Sequence, residues 1–168
     1  KRGWLFCEIA KRMPEYEFYM LGQSFREKAQ NDSVMAQYRS GIKNLHFTGH
    51  VEGEEKFNYI KEAKILVNTS IHEALPVTFL EALACGTLLV SCQNPEELTE
   101  KFGVYTGPVL GDGFDKIDLF VEAIRSLMEN EEKRKTLSIA GYEYVKQVHN
   151  VPDFIRNTRE LIRREARK

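Results

Sequence analysis

The sequence predicts an α/β fold, a Rossmann-like doubly wound parallel sheet with helices on both faces. Apolar, strand-like runs alternate with stretches of helical periodicity along the chain, which is the pattern of βαβ units. The runs over 64–70 and 87–92 are apolar enough for strands buried on both faces, and the strands are too few to close a barrel. With 168 residues, 42% of them hydrophobic, the chain is expected to form a single domain over residues 1–168.

The elements follow from periodicity and from the residues that end helices and strands. Pro14 ends the first helix, Gly22 the first strand, and Gly41 closes the second helix. Pro76 suits the first position of a helix, and Gly86 suits the position just after its end. In order, we predict a helix over 4–13, a strand over 16–21, a helix over 25–39, a strand over 44–48, a helix over 54–63, a strand over 64–70, a helix over 76–85, a strand over 87–92, a helix from 94, a strand over 103–108, and helices over 115–129, over 131–148 and from 152 onward.

Composition and charge exclude several classes of partner. A formal net charge of -1 gives no overall attraction to nucleic acid or acidic membranes, so any basic site must be local. The charge run over 129–135 is interpreted as a solvated helix junction rather than a nucleic-acid site. The cysteines Cys7, Cys85 and Cys92 are odd in number and lack CxxC spacing, which disfavours disulfides and zinc and fits a reducing cytosol. No run has the apolar length of a membrane span, and the start at Lys1, without an initiator Met, suggests an excised piece.

The most informative segment carries two glutamates, Glu73 and Glu81. On a helical wheel of 76–85, apolar residues cover most of the surface and leave a narrow stripe of Thr78, Glu81 and Cys85. No basic residue lies three or four positions from Glu81, and a buried carboxylate without a partner must find donors or take up a proton. Two interpretations stay open: the hydroxyls of a ligand supply the donors, or the stripe faces water.

The loop before this helix is predicted to lie at a ligand-binding edge. It leaves the carboxyl end of the strand over 64–70 and runs into the amino end of the helix. In open α/β sheets ligands bind at that edge, and free N–H groups at a helix amino end favour phosphate.

These segments resemble the donor-binding C-terminal half of the GT-B retaining glycosyltransferases of family 4, the glycosyl transferases group 1. In that family a Ser ends the strand, Glu-Gly-Phe-Gly follows, and eight positions after the first Glu comes Glu-Ala-Met-Ala-x-Gly-x-Pro-Val-Val. The matching residues here are Ser70, Glu73-Ala-Leu-Pro-Val77 and Glu81-Ala-Leu-Ala-Cys-Gly-Thr-Leu-Leu-Val90. Weaker landmarks, which extend the likeness over nearly the full chain, are Lys1-Arg2-Gly3, Leu21-Gly22 and His46-Phe-Thr-Gly-His-Val51.

The resemblance implies a set of donor-binding residues and no metal. They are Glu73, the catalytic candidate, beside the transferred hexose; Glu81 at the ribose hydroxyls; Leu75, Pro76, Val77 and Thr78 around the diphosphate; Lys1 or Arg2 as the cation that neutralises the leaving diphosphate; and Gly22 and Val51 near the base. Because Pro76 has no N–H group, its neighbours would supply the phosphate donors. The family needs no divalent metal, so no metal and no cofactor is expected beyond a GDP-, UDP- or ADP-sugar donor.

The chain departs from the family pattern in several places. Ala74 and Pro76 replace two glycines, which restricts the path of the loop. Arg2 stands where the family has Lys, so Lys1 and Arg2 both remain candidates, and Leu88 replaces a Pro. The family's first strand, with its phosphate-binding arginine, and its acceptor-binding N-terminal half have no counterpart in this sequence. The isolated domain is therefore expected to bind donor weakly and to transfer nothing.

The function implied is donor binding in a retaining hexosyltransferase of polysaccharide biosynthesis. It would move a hexose, with mannose the first candidate on family frequency alone, to an unidentified glycan or lipid-linked acceptor. The alternative is a non-catalytic nucleotide-binding or partner-binding Rossmann-like module. No Gly-x-Gly-x-x-Gly or Walker loop is present, which argues against a dinucleotide oxidoreductase, and His46, His50 and His72 lack metal-site spacing.

The terminal helix from 152 onward is basic and amphipathic, and it admits two interpretations. It could lie on an anionic membrane, or pack one face on its own domain or on the missing half; we favour the second. The protein is accordingly expected in the cytoplasm, with peripheral contact of the full-length enzyme at the inner face of the membrane left open.

Overall fold

The computed structural model describes residues 1–22 and 29–166, except for the side chains of residues 29–32. Its elements in chain order are α1 (Gly3–Lys11), β1 (Phe18–Leu21), α2 (Ala29–Ala36), β2 (Leu45–Gly49), α3 (Gly53–Glu62), β3 (Ile65–Asn68), α4 (Val77–Ala84), β4 (Leu88–Ser91), α5 (Leu98–Lys101), β5 (Gly103–Tyr105), α6 (Ile117–Met128), α7 (Glu131–Val148) and α8 (Val151–Glu165). One-turn 3₁₀ helices at Pro95–Glu97 and Phe114–Lys116 precede α5 and α6. The alternation of strands and helices confirms the predicted α/β class.

The paired strands run parallel, but among the described residues they form two sheets rather than one. β1 pairs with β2, and β4 lies between β3 and β5. In this part of the chain β1 and β3 therefore each have one edge without a paired strand. The strand predicted over 64–70 packs on both faces, with Ile65 and Val67 against one apolar cluster and Leu66 against the other. These side chains are only half-buried, because among the described residues β3 lies at a sheet edge.

β4 is the centre of the core because its side chains alternate between two apolar clusters. Leu88 and Val90 belong to the larger cluster, which is built mainly from α1, α6 and the β1 and β2 sheet. Leu89 belongs to the cluster on the opposite face, together with Phe79 and Leu83 of α4. β4 is fully buried, and helices cover both faces of its sheet, as predicted.

α4 begins and ends where local signals predict. Pro76 stands just before its first residue. At the other end Gly86 has φ 77°, and its N–H donates to the Leu83 carbonyl at 2.9 Å while the Thr87 N–H donates to the Ala82 carbonyl at 2.9 Å. These two bonds form a Schellman motif, in which a glycine at positive φ ends the helix. The helix is one residue shorter at each end than predicted.

Other predicted elements differ mainly at their ends. Residues 25–28 of the second predicted helix lie outside the described residues, and α2 ends at Ala36. The segment after Asn94 forms a 3₁₀ turn and the short α5 rather than one continuous helix, because Glu96 and Glu97 adopt positive φ, at 51° and 61°, and interrupt it. The last predicted strand is also shorter and ends at Tyr105.

α8 forms as predicted, and none of its described residues is buried. Its apolar face is therefore not covered by the described part of the domain. The favoured interpretation also allowed this face to pack on the missing half, and that part stays a prediction. Among the described residues no helix is both long and apolar enough to cross a membrane.

Candidate functional site

The start of the chain lies between the carboxyl ends of β1 and β3. The backbone carbonyl of Arg2 accepts a hydrogen bond of 2.9 Å from the hydroxyl of Thr69, just after β3. A Cβ on Gly3 would lie 3.7 Å from the Cε of Met20 in β1. The chain start and the ends of β1 and β3 thus meet at one edge of the α/β unit, where ligands bind in folds of this class.

Glu73 lies in the loop between β3 and α4 with its side chain 15% exposed. Lys1 Nζ contacts its Oε1 at 2.5 Å, across 72 positions of sequence. Partial burial raises the pKa of Glu73, but hydrogen bonds from Lys1, Ser70 and Asn68 outweigh it and hold the pKa below its usual value. Glu73 is therefore an ionised acceptor at neutral pH, beside a lysine that is 74% exposed.

Arg2 points into the protein and is 1% exposed. Its guanidinium donates to the carbonyls of Thr69 at 2.8 Å, Val109 at 2.9 Å and Gly111 at 3.3 Å, and to Cys92 Sγ at 3.3 Å. These acceptors come from the ends of β3 and β4 and from the loop after β5. Arg2 thus joins the segments that follow β3, β4 and β5 at this edge of the α/β unit. Its guanidinium hydrogen-bonds mainly to carbonyl oxygens.

The amino end of α4 is open to solvent. Phe79 is the first residue whose N–H bonds back, to the Pro76 carbonyl at 2.9 Å, so the N–H groups of Val77 and Thr78 precede the helical hydrogen bonds. Val77 is 68% exposed, and Thr78 is exposed as well. Leu75, by contrast, packs against the cluster that contains α4. Two backbone donors and the positive end of the helix dipole are thus available to an anion.

Glu81 has a basic partner that no local pattern indicates. Lys56 Nζ of α3 contacts Glu81 Oε1 at 2.6 Å, with the two side chains 29% and 17% exposed. The apolar character of α4 correctly predicted that Glu81 is mostly covered, but the expectation that its charge lacks a protein partner is wrong. The missing donor comes from a contact between α3 and α4, made by two residues 25 positions apart in the sequence.

Gly22 and Val51 lie where β1 and β2 end. The Gly22 N–H donates to the Gly49 carbonyl at 2.7 Å, and both glycines adopt positive φ, at 107° and 74°. Positive φ lets the chain leave each strand sharply, which places the half-buried Val51 just beyond this turn.

The structure adds one residue, Lys56, to those predicted, and it places the predicted Arg2 in the interior. Lys56 lacked any motif, since nothing in a short charged helix shows which carboxylate it will meet. The interior position of Arg2 was also hidden, because its neighbour Lys1 is also basic and only the fold distinguishes an exposed cation from a buried one.

Metal ligation finds no support in the described part of the chain. It holds no cluster of three or more His, Cys, Asp or Glu side chains placed to bind an ion. His46 instead contacts Glu17 at 2.6 Å and stacks on Tyr19 with ring centroids 4.7 Å apart. Cys7, Cys85 and Cys92 are free thiols.

The fold is a parallel, Rossmann-like α/β unit, and its candidate site lies at the edge formed by the carboxyl ends of the strands. Proteins of this fold class typically bind nucleotide-linked substrates at that edge. The chain belongs to the glycosyl transferases group 1 family, whose model matches residues 5–144. No curated protein sequence is a significant match.

Solved structures share the fold at low sequence identity. Sucrose-phosphate synthase from Thermosynechococcus elongatus has 19% identity and a TM-score of 0.77, over 95% of this chain and 41% of that chain. Anabaena HepE in complex with UDP has 12% identity and a TM-score of 0.73, over 95% and 44%. The C-terminal domain of a group 1 family glycosyl transferase from Francisella tularensis has 13% identity and a TM-score of 0.63, over 89% and 79%. The chain thus spans less than half of the first two proteins, and it has the fold of one Rossmann-like half of a GT-B glycosyltransferase.

Proposed function

We propose that this chain is the donor-binding domain of a retaining glycosyltransferase that uses a nucleoside-diphosphate sugar. The observation that supports this most is the arrangement around α4. Two ionised or ion-paired glutamates, Glu73 and Glu81, lie on either side of a helix amino end whose first N–H groups are open to an anion. A nucleoside-diphosphate sugar has the matching order of groups, with hydroxyls on both sides of a diphosphate.

Each part of the donor has a place in this proposal. The diphosphate binds the N–H groups of Val77 and Thr78, and Lys1 supplies the cation, because Lys1 is exposed while the guanidinium of Arg2 is already engaged by carbonyls. The ribose lies at Glu81, and the transferred hexose lies at Glu73. The base rests near Gly22 and Val51.

The chemistry is electrostatic. As the bond between the sugar and the diphosphate breaks, negative charge grows on the diphosphate and is met by the α4 amides and Lys1. Glu73 is a hydrogen-bond acceptor for a sugar hydroxyl, which holds the hexose in place. Because the Glu73 carboxylate is held by Lys1 and by hydrogen bonds from Ser70 and Asn68, it would bind a sugar hydroxyl rather than attack the anomeric carbon, and retention of configuration would proceed by front-face displacement. Neither a metal nor a cofactor is required, and mannose is the first candidate hexose.

The two sheets support a role as half of a larger enzyme. β1 and β3 have unpaired edges in the described part of the chain, and α1 begins between their carboxyl ends. A further parallel strand that leads into α1 would fit between them and join the sheets. We propose that a longer protein supplies this strand and an acceptor-binding domain, and that the isolated domain does not transfer sugar.

The test is calorimetric titration of this chain with GDP, UDP, ADP, GDP-mannose, UDP-glucose, NAD and S-adenosylmethionine, repeated on Glu81→Ala. We expect selective binding of one nucleoside diphosphate, weakened about tenfold or more in the variant because a hydrogen bond to a charged group is lost. Binding only of NAD or S-adenosylmethionine, with Glu81 irrelevant, would contradict the proposal.

The non-catalytic module is the competing function. It predicts that a sugar-nucleotide binds no better than the bare nucleotide and that Glu73→Ala in the full-length protein leaves transfer unchanged. Our proposal expects Glu73→Ala to reduce transfer by an order of magnitude or more while the affinity for the bare nucleotide stays within a few-fold.

α8 supports a peripheral membrane contact of the full-length, cytoplasmic enzyme. Five large apolar side chains of this helix are between 40% and 70% exposed, namely Val151, Phe154, Ile155, Leu161 and Ile162. On a helical wheel Arg159 and Arg163 border this stripe on one side and Arg164 on the other, an arrangement complementary to an anionic lipid surface.

Co-sedimentation of this chain with vesicles of phosphatidylglycerol and phosphatidylcholine tests that contact. We expect binding to the anionic vesicles that is lost in Phe154→Ser/Leu161→Ser and weakened by salt. No binding, or equal binding to vesicles of phosphatidylcholine alone, would mean that a protein surface covers the stripe instead.

A further inference from the structure

Lys56 and Glu81 form a half-buried ion pair between two helices at the candidate site. Lys56 lies in the first turn of α3 and Glu81 in the second turn of α4, and Nζ and Oε1 are 2.6 Å apart. Exposed ion pairs contribute little to stability, but this pair is mostly withdrawn from water, with the side chains only 29% and 17% exposed. Glu81 is itself part of the motif shared with the family, so this ion pair lies at the candidate donor site.

The pair leaves unused hydrogen-bonding capacity on both partners. Oε2 of Glu81 accepts no hydrogen bond from the described residues, and the Lys56 ammonium has three hydrogens, one of which is directed at Oε1. The Phe57 ring lies 5.0 Å from Nζ and covers one side of it. An acceptor and a donor are thus available side by side at a partly dry position.

A vicinal diol is the ligand group that complements this pair. One hydroxyl donates to Oε2 of Glu81, and the oxygen of the neighbouring hydroxyl accepts from Nζ of Lys56. A lone carboxylate would bind both hydroxyls as donors only, whereas the pair distinguishes them, since one must donate and the other must accept.

We propose that Lys56 is a specificity-determining residue of this site, which binds the ribose diol of a nucleotide jointly with Glu81. This inference rests on the proposed function, because it takes the ribose of a nucleoside diphosphate to lie at Glu81. It adds that recognition of the diol depends on α3 as well as on the family motif in α4.

Lys56 is the direct partner of Glu81 among the charged groups around it. The thiol of Cys85 has its pKa raised by burial and by Glu81, and Lys61 of α3 acts on the same thiol. Of these groups, only Lys56 contacts Glu81 directly. Without Lys56 the mostly covered carboxylate would lose its direct donor, and the diol would lose its second contact.

The experiment compares the wild-type chain with Lys56→Met, Lys56→Arg and the control Lys61→Met. The control removes an equal charge from the same helix without touching Glu81. Binding is measured by calorimetry with UDP, GDP and ADP, and then with the 2′-deoxy and 3′-deoxy forms of whichever nucleotide binds. Thermal denaturation verifies that each variant is folded, and Lys56→Gln replaces Lys56→Met if the latter is not.

The expected result has three parts. Wild type and Lys61→Met bind the parent nucleotide about tenfold tighter than at least one deoxy form, as expected for one lost hydrogen bond to a charged group. Lys56→Met binds the parent about tenfold more weakly and loses most of that discrimination. Lys56→Arg recovers part of the discrimination, because it restores a donor.

Two outcomes separate this inference from the proposed function. If the wild type binds a nucleoside diphosphate and Lys56→Met keeps both its affinity and its discrimination between deoxy forms, the inference is wrong and the proposed function stands. If the wild type binds no nucleoside diphosphate at all, both are wrong.

Discussion

The two glutamates of the rim are equally covered but are held in different ways. Glu73 is held by Ser70 of its own loop, by Asn68 at the end of β3, and by Lys1 at the chain start. Glu81 is a residue of α4 and contacts Lys56 across a helix-to-helix interface. The first carboxylate therefore depends on the tight packing of a rim loop, and the second on the relative position of α3 and α4.

The two glutamates of one family motif are thus held by separate sets of contacts. A change within the loop should disturb Glu73 and spare Glu81, and a change at the α3 and α4 contact should do the reverse. Single substitutions can remove these contacts one at a time, and their expected effects differ in size.

The largest effect is expected from Arg2→Met, which removes the buried guanidinium that anchors the backbone just before the Glu73 loop. The carbonyls of Thr69 and Val109 would lose their buried donor, and each unsatisfied buried group costs about 1–3 kcal/mol. We expect the free energy of unfolding in urea to fall by about 3 kcal/mol or more. The control is Lys1→Met, which alters an exposed cation and should cost less than about 1 kcal/mol. Equal effects of the two variants would contradict the distinction between a structural and an exposed cation.

A smaller effect is expected from Thr87→Val, which loosens α3. The buried hydroxyl of Thr87 donates to the carbonyls of Ile60 at 2.6 Å and Ala63 at 3.2 Å, near the carboxyl end of α3. Its removal should lower the free energy of unfolding by about 1–3 kcal/mol. Because Lys56 lies on this helix, nucleotide affinity should fall as well, while the pKa of Glu73 should not change. Thr87→Ser keeps the hydroxyl and serves as the control, and an intact affinity in a clearly destabilised Thr87→Val would show that α3 does not position Glu81.

The smallest effect is expected on the pH dependence of the free energy of unfolding. The native pKa of Glu73 lies below its ordinary value of 4.5, so the unfolded state binds the proton more readily. The resulting stabilisation is fully present above the ordinary pKa and is lost as the pH falls through the lowered native pKa. Glu73→Gln should therefore remove a contribution of less than about 1 kcal/mol at pH 7 and leave stability at the lowest pH nearly unchanged. Urea denaturation between pH 7 and pH 3 measures it, and a Glu73→Gln curve parallel to the wild type throughout would refute it.

Much of the fold is predictable because its signals are local. Pro76 and Gly86 mark the ends of α4 through backbone geometry that each residue imposes by itself. The apolar run of β4 predicts a strand buried on both faces, and the helix α7 has the predicted bounds. The position of Glu73 after a strand and of Glu81 on a mostly covered helix also follows from spacing along the chain.

Local signals in the sequence are sufficient to predict the α/β class, the order of its elements and the edge that carries the candidate site, since periodicity, turn residues and a short motif act over a few positions. Tertiary packing was needed to show that Lys56 meets Glu81 and that Arg2 is buried while Lys1 is exposed. Those outcomes depend on contacts between residues 25 to 109 positions apart, and no local pattern indicates which of several equivalent charges will be brought together when the helices and strands pack.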